Sequence, residues 1–123
     1  ILKKQSIERL NKELCLPYTG IEQDWDLEMA SFKRFHEFLN FYRENYLSDD
    51  EKVALMSLIL ASYDDFLNEY ELKSDSMWDC IRKELVKDRV IFVELLEYWS
   101  LNNEIMEQNI FKITPLIRMI KAT

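Results

Sequence analysis

The sequence predicts an all-α protein: a single-domain irregular bundle of six or seven helices around a central helix near residues 48–71. Three observations carry that prediction. One glycine and two prolines in 123 residues leave too little turn chemistry for a many-stranded β protein. Residues 48–70, SDDEKVALMSLILASYDDFLNEY, run on without a breaker and form the most apolar long stretch of the chain. A hydrophobic content of 48% is ample for the core of one domain of this length.

Taken in order, residues 1–15 read as a first helix with Ile7, Leu10 and Leu14 at helical spacing, ended by Pro17. Residues 16–26, LPYTGIEQDWD, hold the lone glycine and read as the one long loop; its acids, Glu22, Asp24 and Asp26, surround Trp25 and continue as Glu28. Residues 27–46 read as one helix whose core stripe is Met29, Phe32, Phe35, Leu39, Tyr42 and Tyr46, with His36 at its edge. Phe38 and Phe41 fall off that stripe, so another helix, a partner or a second copy of the chain must cover them.

The central helix opens on a capping box, Ser48 with Glu51, and Asp49 and Asp50 add negative charge to its first turn. Leu55, Phe66, Ile59, Tyr63, Met56, Leu67, Leu60 and Val53 fill an arc of about 160° at about 100° per residue, wide enough to pack on several helices at once. Behind that arc lie Ala54, Ser57, Ala61, Ser62 and Asn68, flanked by Asp64 and Asp65.

Residues 72–75 are a polar connection, where Ser74 or Asp75 caps a helix reaching Lys87 with Met77, Trp78, Ile81 and Leu85 inward and Asp79 outward. The run Val90 to Val93 has strand character, but Leu95, Leu96, Tyr98 and Trp99 continue it and no partner strand exists, so a buried helix is expected. Residues 101–109 read as a short helix or turn, and Phe111 and Ile113 as extended. Thr114 as N-cap and Pro115 in the first turn then open a last helix over 116–121, docked by Leu116, Ile117 and Ile120.

The residue inventory excludes most chemistry. A carboxylate-bridged di-metal bundle needs Glu-x-x-His pairs on two helices, and here the single histidine, His36, has Lys33 at that spacing. Cys15, His36 and Cys80 are too isolated for a zinc site, and one glycine cannot build a phosphate-cradling loop. Asp64, Asp65 and Asn68 resemble an acidic metal-diphosphate motif, but that motif belongs to far larger helical enzymes. No catalytic residue, metal or cofactor is expected. Cys15 and Cys80 lack the spacing of a redox pair and read as reduced, partly buried thiols, no apolar run reaches about 18 residues, and no signal-like segment opens the sequence at Ile1. The expected compartment is the cytoplasm.

Charge supplies the positive evidence. Twenty-three acids against sixteen bases give a net charge of -7, which disfavours nucleic acid and anionic membrane as direct partners and favours a basic one. On composition alone, the same acidity also serves simple solubility.

The segments LSDDEKVALMSLILASYDDFLNEY, ELVKDRVIFVELLEYWSLNNE and FKITPLIRMIKA resemble those of small helical immunity proteins from bacterial contact-dependent growth inhibition systems. That resemblance implies a cytosolic inhibitor of a cognate toxin domain, very often a nuclease, and carries over no contact residues. Charge fits it, because carboxylates that take the place of phosphates block a cationic cleft and speed the encounter. The candidate acids are Asp24 and Asp26 in the loop, Asp64, Asp65 and Glu69 on the back of the central helix, and Asp75 and Asp79 on the next helix, with Trp25 and Trp78 as aromatic anchors. The alternative is another acidic helical interaction module, such as a phage-encoded inhibitor or an adaptor.

Overall fold

In the computed structural model, which describes residues 2–123, the capping box closes as the sequence dictates. The Ser48 N–H donates to Glu51 Oε1 at 2.9 Å, and the Glu51 N–H donates to Ser48 Oγ at 3.2 Å. The long helix that follows is Asp49–Glu69, and around it the chain is all-α. Among the described residues there are seven α-helices: α1 (Lys4–Glu13), α2 (Trp25–Met29), α3 (Phe35–Glu44), α4 (Asp49–Glu69), α5 (Met77–Lys87), α6 (Val93–Ser100) and α7 (Thr114–Lys121). Two short 3-10 turns, Arg89–Phe92 and Glu107–Asn109, complete the order. Ile1, placed by the sequence at the head of the first helix, lies outside the described residues. No helix among them is long and apolar enough to cross a membrane. The chain divides into two compact units, one up to Phe66 and one from Leu67 onward.

In the first unit, every residue of α4 from 54 to 64 is buried, including Ala54, Ser57, Ala61 and Ser62 of the small and polar strip, whereas Asn68 is exposed. The strip is covered by the segment after the loop: Ser57 Oγ donates to Asp26 Oδ2, and the Ser31 N–H donates to Ser62 Oγ at 3.0 Å. That second bond corrects the expected helix over 27–46. The chain leaves the helix after Met29, with Ala30 extended at φ -57, ψ 141, and re-enters one at Phe35. No glycine or proline marks the break; a tertiary acceptor replaces the helical one for Ser31. Arg34 then ties the start of α3 to the end of α1, donating to the Leu14 carbonyl and, through Nε and a terminal nitrogen, to Glu37 at 2.9 and 2.6 Å.

Phe35 packs edge to face on Tyr63 at 5.4 Å and on Phe66 at 4.8 Å, while the Tyr63 and Phe66 rings stack on each other at 5.9 Å. Phe38 is fully buried under the Arg34 guanidinium, so its cover is intramolecular. Tyr46, expected in the core, is instead 91% exposed. Cys15 is exposed and Cys80 half-buried, and both are free thiols.

In the second unit, the indole of Trp99 packs on Phe111 at 4.5 Å, among the buried Ile113, Ile117 and Ile120. Arg118 closes the C-terminal end of α6: its Nε donates to the Ser100 carbonyl at 2.7 Å, and one terminal nitrogen donates to those of Leu101 and Glu104 at 2.7 and 2.8 Å. Thr114 is not the N-cap expected of it. Its hydroxyl donates to the Trp99 carbonyl at 2.7 Å and accepts the Phe111 N–H at 3.1 Å, while Ile113 is in a turn rather than extended. The apolar run at 90–93 spans the 3-10 turn Arg89–Phe92 and the first residue of α6; Phe92 is buried, but Val90 and Val93 face solvent.

Three helix ends carry non-glycine residues in the left-handed region: Cys15 (φ 51), Glu71 (φ 52) and Leu101 (φ 45). The first two complete Schellman motifs, with Leu16 N–H donating to the Asn11 carbonyl at 3.0 Å and Leu72 N–H to the Leu67 carbonyl at 2.9 Å.

Candidate functional site

The first unit presents a shallow groove of about 510 Å³ between the end of α1 and α3. Glu13, Glu37 and Glu44 supply its negative charge, Lys33 and His36 lie on its wall, and the half-buried Phe41 forms part of its floor. Arg34, bonded to Glu37, holds that carboxyl below the usual carboxylate range. The His36 ring is exposed and lies against the buried Phe35 with centroids 4.0 Å apart and planes tilted by 35°.

Beyond Asn45, which closes the groove, the chain turns into α4 and projects Tyr46. Leu47, the residue before the N-cap, is buried, whereas Tyr46 next to it faces out. The backbone there is anchored: Arg9 donates to the Tyr46 carbonyl at 3.4 Å and to Glu51 at 2.7 Å. Glu44 precedes and Asp49 and Asp50 follow Tyr46 along the chain; all three are exposed, and no ion pair within the described residues engages them. The corner between α3 and α4 is thus a rigid turn with an aromatic tip among carboxylates.

The residues singled out from sequence fare unevenly. Trp25 is only 4% exposed, and its Nε1 donates to Asn11 Oδ1 at 2.7 Å, so it is a core residue and offers no surface anchor. Trp78, at 7%, is withdrawn in the same way. Asp64, at 8%, belongs to the buried turn of α4 and cannot meet a partner. Asp26 is half-buried and serves the Ser57 bond. Asp75 is half-buried and its Oδ1 accepts the Met77 N–H at 3.1 Å, capping α5.

Asp24, Asp65, Glu69 and Asp79 are exposed. In the first unit, Asp24 shares its segment with two exposed apolar residues, Ile21 and Leu27. Partial burial pushes the Asp65 carboxyl above its ordinary value. In the second unit, Asp79 stands loosely opposite Arg82 at 3.9 Å. The groove was not read from the sequence, and Tyr46 was expected in the core.

Among the described residues, no group of three or more His, Cys, Asp and Glu side chains is arranged to hold a metal ion. No family model, curated protein or solved structure matches this chain.

Proposed function

We propose that this chain is an immunity-type inhibitor that docks on the basic surface of a cognate toxin domain, a nuclease on the family resemblance, and blocks it by occupancy. It performs no reaction of its own and works in the compartment where that toxin acts, the cytoplasm. The observation that supports this reading best is Tyr46, 91% exposed on an anchored turn and flanked by Glu44, Asp49 and Asp50. A fully exposed tyrosine is a poor choice for stability and a good one for a partner's pocket, because Tyr supplies large contact area at low entropic cost. The carboxylates beside it suit a lysine- and arginine-lined cleft, and the net charge of -7 steers the encounter.

The test is co-expression with the product of the adjacent reading frame, scored as rescue of growth. Rescue by the native chain, lost with Tyr46→Ala combined with Asp49→Asn and Asp50→Asn, is the expected result. Undiminished rescue by that triple variant would remove the corner from the interface, and an association rate unchanged from low to high salt would remove the electrostatic part.

A further inference from the structure

The second unit has a cleft of about 670 Å³ with the opposite charge character from the acidic corner. Its floor is apolar, made by the half-buried Ile110, Phe111 and Leu116. Its rim carries Lys73 and Lys112, neither held by an ion pair within the described residues, against the single acid Glu107. We propose that this cleft binds a small amphipathic anion, with an aromatic or medium-length acyl body on the floor and one carboxylate, sulfonate or phosphate between the two lysines.

Three features carry the proposal. The volume falls inside the roughly 300–1,000 Å³ of small-molecule pockets, whereas surfaces for macromolecules are flatter and wider. The walls are fixed in advance. Phe111 is held by its packing on Trp99 and by its N–H bond to Thr114, and the turn before Lys73 is set by the Leu72 bond to Leu67. A pre-built apolar floor lowers the ordering cost of a ligand. In a chain of net charge -7, two lysines against one acid around such a floor select for an anion, and ammonium groups act on it as point charges that tolerate several anionic heads. The cleft is independent of the toxin reading and stands or falls separately from it.

The full chain titrated with 8-anilinonaphthalene-1-sulfonate, and in parallel with uncharged N-phenyl-1-naphthylamine, separates charge from apolar contact. The expected result is one saturable sulfonate site, displaced by octanoate and not by inorganic phosphate alone. With Lys73→Gln and Lys112→Gln together, sulfonate affinity falls about tenfold, as two partly screened charges allow, while the uncharged probe changes less than about twofold. Absence of a saturable site, equal loss for both probes, or displacement by phosphate alone would overturn the proposal. So would amide shifts on sulfonate addition that leave Phe111 and Leu116 unmoved.

Discussion

Arg9 and Glu51, 42 residues apart, meet at 2.7 Å, and the same carboxylate also accepts the Ser48 N–H that caps α4. One side chain therefore joins α1 to the start of the longest helix and closes its first turn. Glu51→Ala should cost about 1–2 kcal/mol, the sum of a lost cap and a partly screened ion pair, and Glu51→Gln less, since its amide oxygen can still accept. Urea denaturation measures both.

The same contact sets a pH dependence. Arg9 first, and then the Ser48 N–H, hold the Glu51 carboxyl below its ordinary value, and Arg34 does likewise for Glu37. A folded value below the unfolded one means that the contribution is complete above the unfolded carboxylate value, about 4.3, and is lost as pH falls through the lower folded value. Stability measured by urea should therefore decline below about pH 4.3, with a shallower decline in Glu51→Gln.

Asp65 has the opposite sign. Burial raises its folded value above the unfolded one, so its favourable contribution is complete below the unfolded value and lost as pH rises through the folded one. Asp65→Asn should raise the melting temperature at pH 7, by a gain within about 0.5 kcal/mol as expected of an exposed site, and the gain should vanish near pH 3. A loss of stability at pH 7 would contradict the assigned cause.

Tyr46 and Trp25 should exchange the roles expected of them from the residue pattern. Tyr46→Ala should leave stability within about 0.5 kcal/mol and cost about 2 kcal/mol or more, roughly 30-fold, in binding of the proposed toxin partner by calorimetry. Trp25→Ala should cost about 3–5 kcal/mol in stability, while the fraction that stays folded binds with native affinity.

Arg118→Lys keeps the charge but not the fork that reaches three carbonyls, and should cost about 1–3 kcal/mol. Hydrogen exchange at amides 101–106 should accelerate more than at α4, because the carbonyls of Leu101 and Glu104 lose the donor that orders this loop.

The central helix was legible because its signals are local: a hydroxyl and a carboxylate three residues apart, then an unbroken apolar arc. The break at residues 30–34 was illegible because its cause is Ser62, 31 residues further along the chain from Ser31. Tyr46 was misread for a different reason: α3 ends at Glu44 with Asn45 extended, and carrying the 27–46 stripe past that end put Tyr46 in the core. Trp25 was misread for a related reason: its acidic neighbours mark a wet segment, whereas the indole itself reaches Asn11 across the loop. Val90 and Val93 show that a run of β-branched residues reports hydrophobicity without reporting burial.

Cys15, Glu71 and Leu101 hold left-handed backbone at helix ends without being glycine, at a cost of about 1 kcal/mol each. Glycine at Glu71 would recover a net fraction of that after its own entropic penalty. The chain thus keeps unused reserves at positions remote in sequence from its acidic corner. If the proposed inhibitor must follow a changing partner, it could draw on them to absorb the typical destabilisation of about 1 kcal/mol that accompanies a new contact residue, so that the corner can diversify while the helical frame stays folded.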